Sequence, residues 1–208
     1  MEFEEILAAR RSTRSFTPAM PAREQIEQIL RAGLLAPHAT YPAAPEGVSF
    51  RRFSVVTGSA LIAQIDALIM RRAVSLLAKF KGLIESNPAL REQGLAHLKR
   101  IEMISQQGVL IPGGVSCYIV AAEARCLPPV QQETLAHVLE NMWLQATALG
   151  LGFRLISITA EMAAEAEFCE LLDLPCSEFG INGCAVGYPT RPLPPYPQPD
   201  VNAVTRWF

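Results

Sequence analysis

Residues 131–149 set Leu135, Val138, Leu139, Met142, Leu144 and Ala146 at helical spacing, and Gly150-Leu151-Gly152 stops that pattern just before the apolar run Phe153 to Ile158. A helix ended by glycine and followed at once by a strand restricts the chain to folds in which helices pack on a sheet. The flanking sequence repeats the theme. Val115 to Ala122 and Ile181 to Val186 are apolar enough for buried strands, and Phe53 to Thr57 is a shorter one. Residues 2–10 predict a short helix. Pro21 opens a second, with Ile26, Ile29, Leu30 and Leu34 on one face, that ends before Pro37. Ser59 is placed to cap a helix bearing Leu61, Ile62, Ile65, Leu68 and Ile69. Asn87-Pro88 starts another that runs to about Gln107, and Thr159 caps one to about Leu172. Helices outweigh strands, which predicts an α+β or three-layer α/β domain.

Two stretches have no period. Residues 37–49 are rich in Pro, Ala and Gly and predict a loop. After Tyr188 the chain is Pro-rich and extended as far as Trp207. That tail has too few apolar residues for a core of its own, so it must lie along something else.

With 208 residues the chain is the size of one domain. A formal net charge of −2 argues against a nucleic-acid partner. The longest apolar run, Val109 to Ala122, is broken by Pro112, Gly113 and Gly114 and is too short for a bilayer, so no membrane partner is expected. The acidic N-terminus lacks a leader pattern, which predicts a soluble cytoplasmic protein. Five scattered cysteines without a CxxC pair predict reduced core thiols, with no metal site and no disulfide framework. A mean hydropathy of +0.21 implies a large buried surface, including room for a subunit interface. His97 and His137 have no ligand partner at helical spacing. Gly150-Leu151-Gly152 follows a helix, so it is not a dinucleotide fingerprint. No side-chain constellation predicts a catalytic acid, base or nucleophile.

One stretch does point to chemistry. Arg10-Arg11-Ser12-Thr13-Arg14 gathers three guanidinium groups and two hydroxyls in five residues. Arginine's rigid fork of donors matches phosphate oxygens, and hydroxyls add shorter bonds to the same anion. The run therefore predicts a phosphate-bearing ligand near the N-terminus, with a solvated basic turn as the alternative.

Taken in order, three segments resemble the nitroreductase family of flavin-dependent oxidoreductases. Residues 6–40 carry an Arg-Arg-Ser-x-Arg motif, a Phe, a Pro-led helix and a Leu-Ala-Pro end. Residues 140–157 carry a central helix, a Gly-Leu-Gly stop and a strand. Residues 185–192, Ala-Val-Gly-Tyr-Pro-Thr-Arg-Pro, lead into a Pro-rich tail with an aromatic end. The resemblance implies one domain over 1–208, a three-layer α-β-α fold with a central, mostly antiparallel sheet, and a tail (189–208) exchanged with a partner subunit. Residues 60–107 would be a helical cap. It implies a homodimer that binds FMN, takes electrons from NADH or NADPH, and passes them to a flat small-molecule acceptor such as a nitroaromatic or quinone; the alternative is a specialised or degenerate flavin-binding member with a different substrate or no catalytic activity. Arg10, Ser12 and Arg14 would hold the FMN phosphate and ribityl chain, with Arg11 adding backbone or charge. Pro37, His38, Ala39 and Thr40 would approach the flavin from the partner, and Leu155, Ile156 and Ser157 would line the ring near its reactive nitrogen. The chain departs from the family in two places. Tyr41 to Phe50 lacks the usual Asn-x-Gln-Pro-Trp segment. Pro194 to Pro199 lacks the usual tail cations, although Arg191 and Arg206 flank it.

Overall fold

The computed structural model describes residues 1–38, 49–87, 91–175, 177–197 and 199–208. Four strands form one sheet in the order β1-β2-β4-β3, where β1 is Arg51–Val56, β2 Cys117–Ala124, β3 Gly152–Leu155 and β4 Phe179–Gly187. All three pairings are antiparallel. Every residue of β2 is buried, as a central strand covered on both faces must be.

Alternation along β2 divides the core. Cys117, Ile119 and Ala121 face a cluster built with Ile26 and Ile29 of α2 (Arg23–Leu34) and Leu135, Val138, Leu139 and Met142 of α5 (Gln131–Ala148). Tyr118, Val120 and Ala122 face the other cluster. It contains Ile62, Ile65 and Ile69 of α3 (Ser59–Ser86), Ile101 and Ile104 of α4 (Arg91–Gln107), and Phe168 of α6 (Ala166–Leu171). Helices thus cover both faces of the sheet. This is the three-layer α+β arrangement expected, with α1 (Phe3–Ala9) at the N-terminus.

Three expectations are corrected. The helix expected over 159–172 is two pieces, a 3-10 helix Ser157–Ala164 and α6, because Glu165 between them is extended. The helix expected to begin at a Ser59 cap has Gly58 at that position and continues to Ser86. Cys169 is disulfide-bonded, whereas Cys117, Cys126 and Cys184 are free thiols. Spacing along the chain cannot reveal a cysteine pair brought together by folding. Cys176 lies outside the described residues.

The tail begins on its own chain. The Thr17 N–H donates to Tyr188 O (2.8 Å), Thr190 N–H to Ser15 O (3.2 Å) and Tyr196 N–H to Ala8 O (2.9 Å). Beyond Pro199, Val201, Val204, Trp207 and Phe208 are exposed. Among the described residues no helix is long and apolar enough to cross a membrane, and no group of His, Cys, Asp or Glu could hold a metal ion.

Candidate active site

The arginine run is built into the sheet. Ser12 bridges Phe153 of β3 in parallel sense, and Thr13 N–H donates to Phe153 O at 2.9 Å. Three residues on from Thr13, Phe16 N–H donates to Gly113 O (2.9 Å) and Phe16 bridges Pro189. Gly152 makes this approach possible. A Cβ there would meet Thr13 Oγ1 at 2.5 Å. Thr13 is buried while Arg14 is exposed, as alternation in an extended segment requires. A loop-like sequence is thereby given the precision of a strand.

The three arginines have different surroundings. The Arg10 side chain pairs with Glu140 (3.1 Å) and lies 4.7 Å above the Trp143 ring, which stacks on Phe153 at 5.0 Å. Trp143 Nε1 is buried with no hydrogen-bond partner. Arg11 donates to Pro194 O (2.7 Å) and lies 3.9 Å above the Tyr196 ring, so its side chain serves the tail. Arg14 has no salt bridge among the described residues, and its charge is felt at Arg154 of β3. There, burial pulls the Arg154 guanidinium below its usual range, and the nearby charges of Arg100 and Arg14 push it the same way, against Asp66.

The segment after β3 is fixed just as firmly. Ile156 N–H donates to Gly183 O (2.8 Å), its carbonyl accepts from Thr159 N–H (2.9 Å), and Tyr118 and Thr159 share a buried hydroxyl bond of 2.7 Å. Ile156 is 1% exposed, a core residue whose side chain and backbone groups already have partners. Leu155 is half-buried and Ser157 exposed, so these two remain available to a ligand. Ser157 also lines a cavity of about 270 Å³ with Leu76, Phe80, His97, Arg100 and Ile158.

Pro37 is exposed, but the His38 side chain is 8% exposed and turned into the molecule, 3.7 Å from Glu123 and edge-on to Phe50. Ala39 and Thr40 lie outside the described residues, as does most of the 41–50 loop.

The residue patterns did not predict Asp66, Arg51 or Glu123. Asp66 is buried on α3, and its carboxylate accepts from Val109 N–H (2.8 Å), Leu110 N–H (3.0 Å) and Ile111 N–H (2.9 Å), fixing the turn beneath Arg154. A charge inside the otherwise apolar run Cys117–Ala124 was the available signal for Glu123. An aspartate between Ile65 and Ile69 was the signal for Asp66.

A nitroreductase family model matches residues 7–188. The chain belongs to the nitroreductase family. Solved nitroreductases with bound FMN have the same fold. One from Bacteroides fragilis NCTC 9343 is 18% identical, with a TM-score of 0.70 and 100% of each chain covered. One from Desulfitobacterium hafniense DCB-2 is 21% identical, also with a TM-score of 0.70 and 100% of each chain covered. An iodotyrosine deiodinase bound to FMN and 3-iodo-L-tyrosine is 18% identical, with a TM-score of 0.67 over 100% of this chain and 99% of that one. No curated protein gives a significant match. The nitroreductase match begins just before the arginine run and ends at Tyr188, so it contains that run, α5 and the strand leading to Ser157.

Proposed function

We propose that this nitroreductase-family chain is an FMN-dependent oxidoreductase. It would pass electrons from NADH or NADPH to a flat, electron-poor acceptor, a nitroaromatic or quinone, by double displacement. The observation that carries this reading is the bridge from Ser12 to Phe153, which sets the arginine run beside the strand leading to Leu155 and Ser157. The residues present suit FMN: Arg14 is a cation without a salt bridge among the described residues, and Trp143 Nε1 is a buried donor without an acceptor. Arg10, Ser12 and Arg14 would hold the phosphate and ribityl chain. The Arg10–Glu140 pair is half-exposed and worth at most about 1 kcal/mol, so a phosphate dianion can displace it. Arg191 follows Thr190, which is bonded to Ser15, so its backbone lies beside the run and offers a substitute for the usual tail cations.

Bound FMN would supply the hydride and electron chemistry. The protein's part is to orient: Leu155 and Ser157 would border the ring from a segment fixed at Gly183 and Thr159. Double displacement at one face needs no side-chain acid or base. This agrees with the lack of such a constellation in the sequence.

We also propose a homodimer. Phe3, Leu7, Leu34 and Leu35 are exposed apolar groups on α1 and at the end of α2, and Trp207 and Phe208 are exposed at the tail's end. The part of the tail able to reach a partner is 199–208, since the part before it is tied to its own chain.

The purified protein should be yellow or take up added FMN, bleach anaerobically with NADH or NADPH, and recover its colour with a nitroaromatic or quinone. A colourless protein that takes up no FMN contradicts the proposal.

A further inference from the structure

The cavity beside Ser157 has on its lining an arginine, Arg100, that no carboxylate pairs among the described residues. Its walls are mainly apolar: Leu76 and Phe80 from α3, Ile101 and Ile104 from α4, and Ile158 from the 3-10 helix. Its polar lining is Ser157, His97, Arg100 and Glu161. His97 is held edge-on against Phe80, with ring centres 4.9 Å apart. Glu161 is paired at 3.3 Å with Arg72, which also pairs with Glu165 at 3.4 Å. Arg100 is exposed and has no salt bridge among the described residues.

A second cation lies close to Arg100. Arg154 sits in β3 three residues before Ser157 and donates to Val109 O at 3.3 Å. The nearby carboxylate, Asp66, already accepts three backbone N–H groups. Burial and the charges of Arg100 and Arg14 all act against the Arg154 cation. An anion at the cavity mouth would relieve that repulsion.

We propose that Arg100 reads a carboxylate on the acceptor, so that the preferred substrate is a flat, single-ring molecule with an anionic substituent. This rests on the oxidoreductase reading for the role of the ligand but not for its binding. A volume of about 270 Å³ is at the small end for ligand sites and suits one ring rather than two. The apolar walls take the ring, and the guanidinium fork meets the carboxylate oxygens. Arg14 stays with the cofactor phosphate, leaving Arg100 for the acceptor.

The test is calorimetric binding of benzoate and its neutral isostere benzamide to the purified protein, which does not depend on turnover. The wild type should prefer benzoate by about tenfold to a hundredfold, the range of one charge-assisted contact. Arg100→Met should bind both alike, and Arg100→Lys should keep part of the preference. Equal binding of both probes by the wild type overturns the proposal. So does a preference that survives in Arg100→Met. If Arg100→Met binds neither probe, Arg100→Lys decides: a benzoate preference there supports the proposal and its loss overturns it. Inorganic phosphate competing as well as benzoate would mark a plain anion hole and overturn the acceptor assignment. A protein that takes up no flavin but binds benzoate through Arg100 would sink the redox reading and leave the carboxylate site standing.

Discussion

Arg51 and Glu123 face each other across β1 and β2 and form an ion pair whose side chains are 2% and 0% exposed. The same guanidinium donates to Gly33 O (2.7 Å), Leu34 O (3.1 Å) and Ala36 O (3.0 Å), carbonyls at and just beyond the end of α2. One residue therefore joins the sheet to the helix end that leads to Pro37 and His38. Removing one partner leaves a buried charge alone. Arg51→Met or Glu123→Leu should each cost about 3–5 kcal/mol in denaturant unfolding. The double variant should cost less than the sum, because neither charge is then stranded.

Asp66 should matter almost as much. Asp66→Ala strands three N–H groups at 109–111 and should cost about 3 kcal/mol by the same measurement. Asp66→Asn keeps one acceptor oxygen and should cost less.

Gly152→Ala tests the close approach of the arginine run. The added Cβ would lie 2.8 Å from both Thr13 Cβ and Thr13 Cγ2, too near for adjustment by rotation alone. The variant should lose about 1–3 kcal/mol of stability and weaken FMN binding in a fluorescence titration. Thr13→Ala in the same chain removes Oγ1 and Cγ2 and leaves only Cβ in the way, so it should restore part of both. Undiminished FMN affinity in Gly152→Ala would separate this contact from the site.

Thiol chemistry should follow burial. Burial pushes the Cys117 thiol up to about 12, and it raises Cys184 well above its usual value. At pH 7–9 both stay protonated and inert. Cys126, half-buried and free, should be labelled by a maleimide in the native protein, with Cys117 and Cys184 labelled only on unfolding. Mass spectrometry of the labelled peptides checks this.

Local signals accounted for much of this architecture. The α5 face and its glycine stop, the apolar β2 and β4, and the Pro-led α2 are each written in consecutive residues. What spacing missed are pairings between distant segments. The break at Glu165 divides a stretch rich in Ala and Glu that favours helix by itself. His38 looked like a loop residue aimed at a ligand, yet Glu123, 85 positions later, sits 3.7 Å from it inside the fold. Arg11 looked like part of an anion site, yet Pro194 and Tyr196 take its side chain. Nothing in five consecutive residues reveals which of three arginines a tail will occupy.

That division of labour makes a prediction of its own. Arg11→Ala removes a charged hydrogen bond and a cation–π contact, so segment 189–197 should be cut faster in limited proteolysis. FMN affinity should change far less than in a variant of Arg14. Equal losses in the two would mean that Arg11 also meets the cofactor.

The central claim is that the run from Arg10 to Arg14 binds the phosphate of FMN. Comparing FMN with riboflavin, which lacks the phosphate, isolates that contact from the ring. Flavin-free protein should bind FMN far more tightly than riboflavin. Arg14→Ala should narrow the gap by about tenfold to a hundredfold while leaving riboflavin affinity as it was. A gap unchanged in Arg14→Ala, or a wild type that binds the two flavins equally, would contradict the account.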